Sequence, residues 1–199
     1  MKLRIFSVFL FLFILQKAFS QSIGMKVNSE FSNETLMNNG KGIGIYLNIN
    51  DFDDKLELLF SIDYIKANKI FVIDDITKLS YNGKSEKKGI SSTLVYVINI
   101  KEKLKFKSGP SISYNDITNS KVYTPINIIE ISNYKSLGLG LLANFQFVEI
   151  FQLPLNLDVF ITPIHLLNLS IKTDPSNLQN NQNRNFSLIN SQIGLSFQF

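Results

Sequence analysis

One histidine, no cysteine and a scatter of aspartates are what this chain of 199 residues offers for chemistry. A metal site needs several converging ligands, so the single imidazole, His165, is expected at the rim or in the core of a strand rather than on a metal. Without cysteine there are no disulfides, no thiolate sites and no cysteine-borne lipid anchor. Asp51, Asp53 and Asp54 crowd three carboxylates into "NDFDDK", but the glycine and the distant glutamate of a calcium loop are missing. A solvated turn accounts for them, and loop charge accounts for Asp74 and Asp75. Gly40, Gly42 and Gly44 do not open a helix, so they form no phosphate loop. A nucleophilic serine would need His165 and a carboxylate beside it, and nothing marks out one serine. These residues call for no cofactor, no metal and no enzyme.

The polar residues that remain follow a different logic, visible once the first segment is set aside. Lys2 and Arg4 precede an almost wholly apolar run at 5–15, and Ala18 and Ser20 place small residues before Gln21. That is the layout of a secretory signal peptide over residues 1–20, leaving one mature domain at 21–199. Eleven residues fall short of the ~20 a membrane-spanning helix needs. The segment takes Lys2, Arg4 and Lys17 out of the 20 bases, leaving 17 against 16 acids. A nucleic-acid partner, which needs clustered basic charge, is not supported.

No later segment reaches eighteen consecutive apolar residues, yet 45% of the chain is hydrophobic and only 18% charged. The apolar residues recur with period two. "GIGIYLNIN" sets Ile43, Ile45, Leu47 and Ile49 against Gly44, Tyr46 and Asn48. "KLELLFSIDY", "LKFKSGPSISYN", "LGLGLLANFQF", "LNLDVFIT" and the C-terminal "SQIGLSFQF" repeat the scheme, with weaker copies at 23–31 and 90–100. Eight strands are predicted and no helix. The connections between them alternate, short at "DFDD", "KEK" and 148–154, long and polar at 66–88, 116–136 and 168–185. In an up-and-down meander this puts every short turn at one end and every long loop at the other, as in transmembrane barrels. "IFVIDDI" (70–76) and "VYTPINIIEI" (122–131) are strand-like segments inside the long loops. They extend existing strands beyond the membrane, or they add strands to make ten. "NLQNNQNRN" (177–185) is polar and of low complexity.

The polar face decides between a membrane barrel and a soluble one that binds an apolar ligand. A soluble barrel needs an outer face dense in Lys and Glu, whereas this face is mostly Gly, Ser, Asn, Gln and Thr. Its charges are Lys26, Lys105 and Lys107 against Glu30, Glu57, Asp63 and Asp158, a set that nearly cancels inside a narrow lumen. The apolar face of the clear strands carries no charge, and a Lys or Arg there would cost about 2–4 kcal/mol at the bilayer midplane. The expected fold is therefore all-β, an antiparallel up-and-down transmembrane barrel of eight strands, with ten as the alternative. Eight strands leave an interior that side chains fill, here Tyr46, Leu59, Leu142 and Phe160. Pro110 cannot donate to a ladder and predicts a bulge or strand irregularity in the fifth strand.

"RNFSLINSQIGLSFQF" resembles the last strand of small outer-membrane β-barrels, which ends on an aromatic residue. "FKSGPSISYN" and "LGLGLLANFQF" resemble strands of the porin-family, PorT-like outer-membrane proteins. The resemblance covers nearly the whole mature chain as pattern rather than as invariant motif. It implies an outer-membrane location, outer-membrane lipid and the barrel assembly machinery as partners, and Phe199, Phe197, Leu195 and Ile193 as the assembly signal. Function is then expected in the external loops 66–88, 116–136 and 168–185, which would meet an envelope or extracellular partner. A narrow channel or a component of a secretion apparatus is the alternative.

Overall fold

The computed structural model describes residues 20–53, 55–73, 79–124, 126, 128–174 and 185–198. The proposed leader, apart from Ser20, and the terminal Phe199 lie outside them. Eight strands follow one another: β1 (Ser20–Ser32), β2 (Gly40–Asp53), β3 (Leu56–Ile73), β4 (Ser80–Lys101), β5 (Leu104–Tyr123), β6 (Ile128–Phe147), β7 (Leu155–Asp174) and β8 (Phe186–Gln198). Each pairs antiparallel with the next, and β1 pairs with β8, so the sheet is a closed barrel. One row of partners runs Ser22, Asn48, Leu59, Thr93, Ser111, Gly140, Ile164, Leu188 and back to β1 at Ser32. The row thus returns to β1 ten residues from its origin, a stagger that tilts the strands by roughly 40° to the barrel axis.

Closure leaves no sheet edge, and the period of two sorts the side chains by face. On β4, Ile90, Leu94, Tyr96, Ile98 and Ile100 point outward and are about half exposed. Met25, Val27, Ile43, Ile62, Leu141, Ile193 and Leu195 do the same on other strands. With the tilt, residues 90–100 span about 25 Å along the axis, the height of a hydrocarbon-facing band. Polar residues instead fill the interior, including Lys26, Asn28, Glu30, Asn48, Glu57, Lys107, Asn144 and Asp158, all buried. This is a soluble protein turned inside out, and its exterior is that of a membrane-spanning barrel.

The strands run far beyond that band, and here the expected loop boundaries are corrected. β3 to β6 hold 18, 22, 20 and 20 residues, so most of 66–88 and 116–136 is strand rather than loop. The alternation continues through them, but the outward positions become polar: Lys66 and Asn68, then Lys84, Glu86 and Lys88, then Asp116, Thr118 and Ser120, then Asn133 and Lys135. An apolar period marks a strand only where one of its faces meets hydrocarbon, so the sequence pattern stops at the edge of the band. "IFVIDDI" and "VYTPINIIEI" belong to β3, β5 and β6 as far as they are described, and the described residues form eight strands, not ten. Of the third expected loop, 175–184 lies outside the described residues.

Of the two outcomes expected at Pro110, the structure shows a strand irregularity and not a bulge. Thr93 pairs with Ser111 and Tyr96 with Ser108 in one unbroken register, while the two pairs between them are missing. Pro163 leaves the same two-pair gap between β7 and β6. A residue without an N–H breaks the ladder on one side only, so the stagger of the barrel survives. The connection after β6 is irregular because three non-glycine residues, Glu149, Phe151 and Gln152, take positive φ of 54°, 56° and 60°, two of them inside a short 3₁₀ turn, Ile150–Gln152.

Candidate functional site

The interior is built in layers, from the short-turn end upward. The lowest charged pair is Lys107 with Glu57, both buried, and the Asn48 amide also donates to Glu57. Asp158, with almost no exposure, accepts from the Tyr46 hydroxyl at 2.6 Å, and from Asn144, Gln146 and Ser196 at 3.0 Å each. Four neutral donors on three strands, β2, β6 and β8, satisfy one carboxylate. Beside it, Tyr46, Leu59, Val95, Leu142 and Phe160 form an apolar cluster across the lumen, with Tyr46 and Phe160 edge to face at 5.2 Å. Gly24 admits the ring of Tyr46, since a Cβ there would lie 2.4 Å from its Cζ.

Above this cluster lies a cavity of about 30 Å³, room for one or two waters. Leu59 and Leu142 form its floor, and Ile164 reaches its roof. Its wall carries Lys26, Asp63 and Lys87 among hydroxyls and amides. Lys26 Nζ lies 3.1 Å from Asp63 and donates to Gln192 at 2.9 Å. Asp63 also accepts from Asn28 at 2.7 Å and from Ser61 at 2.9 Å. Lys87 is ion-paired to Glu30, and both are buried. Charges in this layer are therefore matched, and the removal of either partner would strand a charge in a low-dielectric interior.

The top of the lumen is closed by the connection between β1 and β2. Residues 33–39 fold inward, and Leu36 and Met37 are 1% and 2% exposed. Met37 packs with Ile117, Leu166, Phe186 and Leu188, and Leu36 packs with Tyr81 and Tyr123. The loop is pinned to β8 by two hydrogen bonds, Asn33 N–H to the Ser187 carbonyl at 3.2 Å and Ser187 N–H to the Asn33 side chain at 3.0 Å. Within the loop, the Ser32 hydroxyl accepts from Glu34 N–H, while Met37 and Asn38 N–H donate to the Glu34 carbonyl. Gly83 makes room for the plug, because a Cβ there would come within 2.1 Å of Leu36 Cδ2.

The residues expected in the lumen lie on its face: Lys26, Glu30, Glu57, Asp63, Lys107 and Asp158 as described, and Lys105 partly exposed toward the short-turn mouth. The structure brings together Lys26 with Asp63 and Lys107 with Glu57, but gives Glu30 to a residue that sequence reasoning missed. Lys87 falls in the expected loop 66–88 because its outward neighbours Glu86 and Lys88 are polar, although Ser85, Lys87 and Gly89 already alternate with them. The plug was missed too, and its one signal was an apolar pair, Leu36 and Met37, inside a polar connection. Ile193, Leu195 and Phe197 point outward on β8 and are exposed. His165 also faces outward, where its Nδ1 lies 3.0 Å from the Ser187 hydroxyl. Among the described residues no three His, Asp or Glu converge in a way that would hold a metal.

No protein-family model matches the chain, and no curated protein does either. Solved structures match over nearly all of it. A major outer membrane protein from Thermus thermophilus is 12% identical with a TM-score of 0.60, over 90% of this chain and 99% of that one. Neisserial surface protein A is 15% identical with a TM-score of 0.54, over 90% and 97%. Ail, the attachment invasion locus protein of Yersinia pestis, solved in complex with the heparin analogue sucrose octasulfate, is 13% identical with a TM-score of 0.50, over 90% and 97%. What these identities share with the chain is the fold.

Proposed function

We propose that the protein is a small, non-enzymatic integral barrel of the outer membrane that works through the part of its wall standing beyond the lipid. One observation carries this reading. Past the polar outward positions, the strand tips turn apolar again while remaining exposed: Ile70, Phe71 and Ile73 at the end of β3 (74%, 73% and 66%), and Ile126, Ile129 and Ile131 around the β5–β6 tip. Lipid does not reach them, because two or three polar outward positions per strand separate them from the band. Exposed apolar surface held on stiff strands is the ordinary signature of a binding face. The lumen supports the same reading from the other side, since the charges around its cavity are paired and an apolar cluster closes each end of that cavity. Attachment is a role named for one barrel of this fold, Ail, which shows that such a scaffold accommodates it. Kinship with the porin-family, PorT-like barrels is part of this reading and rests on strand pattern. So do the barrel assembly machinery as partner and a C-terminal signal of Phe199, Phe197, Leu195 and Ile193.

The test compares cells carrying the native chain with cells carrying Phe71→Asn/Ile129→Asn/Ile131→Asn. Adherence to immobilised extracellular-matrix protein is expected to fall to the level of cells lacking the protein, with unchanged outer-membrane amount and unchanged heat-dependent gel mobility. Native adherence by the triple variant would defeat the reading, and so would steady single-channel current through the native protein in a planar bilayer.

A further inference from the structure

The outward face carries a second feature that neither the lumen nor the tips explain. Directly above the apolar band, neighbouring strands hold Lys41, Lys66, Lys84, Lys88 and Lys135 against Glu86 and Asp116. Register makes this one patch: Lys41 lies opposite Lys66, Lys66 opposite Glu86, Tyr64 opposite Lys88, and Asp116 opposite both Lys88 and Lys135. All five lysines are exposed. Glu86 is fully engaged, with Lys84 at 2.8 Å, Lys66 at 3.6 Å and the Tyr64 hydroxyl at 3.2 Å. Its hydrogen bond with Lys84 holds its carboxyl below the ordinary 4.5, so it is already ionised and already shared. Among the described residues no ion pair involves Lys41 or Lys88. Five cations against two anions leave an excess of three.

The pair Lys41–Lys66 makes this more than a solvated rim. Like charges directly opposite on neighbouring strands are destabilising, and here they stand side by side while Glu86, the acid opposite Lys66, is divided among three donors. An anion arriving from outside the protein removes that repulsion. The position identifies its source, because these side chains border the lipid-facing band and lie level with the headgroups of that leaflet. The opposite end shows no such excess, since its stretches of sequence carry Lys55, Lys101, Lys103 and Lys105 against Asp51, Asp53, Asp54, Glu102 and Glu149. We propose that Lys41, Lys66, Lys84 and Lys88, with Tyr64 beneath them, bind the phosphate group of an anionic lipid in the leaflet on the long-loop side. The ammonium groups act as point charges toward the phosphate, and Lys66 stands over the Tyr64 ring at 5.1 Å, which keeps it at the interface. The site rests on the membrane-spanning reading, and the experiment separates the two.

The full chain is refolded into phosphatidylcholine vesicles with increasing fractions of phosphatidic acid, and its urea unfolding midpoint is read from heat-dependent gel mobility. The midpoint is expected to rise with phosphatidic acid and the rise to shrink at high salt. Each of Lys41→Gln, Lys66→Gln and Lys88→Gln should raise the fraction needed for a half-maximal rise by roughly fivefold. The control Lys55→Gln/Lys101→Gln/Lys103→Gln should leave it unchanged. Lys41→Gln adds a reversal of sign, since in pure phosphatidylcholine it should raise the midpoint by removing the opposed charge. Three results overturn the site: no rise with phosphatidic acid, an equal rise in the lysine variants, or the same rise from inorganic phosphate added to pure phosphatidylcholine vesicles. Failure to insert into any vesicle overturns the membrane reading itself.

Discussion

At the scale of single residues, the described interior follows one rule: a buried charge is held by partners reaching across the lumen from other strands. Lys87 and Glu30 show its energetic weight. Both are buried, and neither has water to fall back on. Lys87→Met leaves Glu30 charged inside the barrel and should destabilise the fold by about 3–5 kcal/mol. Adding Glu30→Gln should restore most of that loss, because a neutral pair of similar volume no longer carries a desolvated charge. Urea unfolding in vesicles, read by gel mobility for the single and double variants, checks it. Equal losses in both would mean that packing rather than charge dominates there. The same residues show what the sequence made legible. Lys26, Glu57, Asp63 and Asp158 each sit between two apolar or aromatic outward neighbours, and Lys107 has Phe106 on one side, a contrast that exposes a lumen position. Lys87 has Glu86 and Lys88 beside it, so nothing in its local pattern tells inside from outside.

At the scale of elements, the barrel distinguishes regular wall from costly connection. The strands within the band were readable because hydrocarbon enforces one apolar face. Beyond the band both faces are wet or polar, the enforcement ends, and β3 to β6 look like loop for much of their length. The turn after β6 was legible in length but not in conformation, since Glu149, Phe151 and Gln152 are not residue types that signal positive φ. A left-handed conformation costs a residue with a Cβ about 1–2 kcal/mol. Gln152, with φ of 60°, has an exposed side chain, so its replacement removes strain without removing packing. Gln152→Gly should therefore raise the unfolding free energy by about 0.5–1 kcal/mol, the gain being reduced by the added freedom of the unfolded chain. A matched pair of urea titrations measures it, and a loss of stability would show that the side chain anchors the turn.

At the scale of the whole molecule, the decisive feature is that the lumen is shut twice. Leu36 and Met37 close it at the long-loop end, and Tyr46, Leu59, Val95, Leu142 and Phe160 close it below the central cavity. Seals in series have a consequence that a single gate would not. Leu36→Ser/Met37→Ser empties the upper seal and, as the loss of two large buried side chains, should destabilise by several kcal/mol, about 2–5 for each site. It should nevertheless carry no steady current in a planar bilayer, because the lower cluster still spans an interior that eight strands make only wide enough for side chains. Current should appear only when Phe160→Ala is added, and then be small, since Lys26, Asp63, Lys87 and Glu30 still line the path as matched pairs. If the plug variant alone conducted, the lower cluster would not be a seal, and the β1–β2 loop would be the gate of a channel. A silent plug variant instead makes the interior structural, and leaves the strand tips and the lysine patch as the surfaces through which the barrel meets its surroundings.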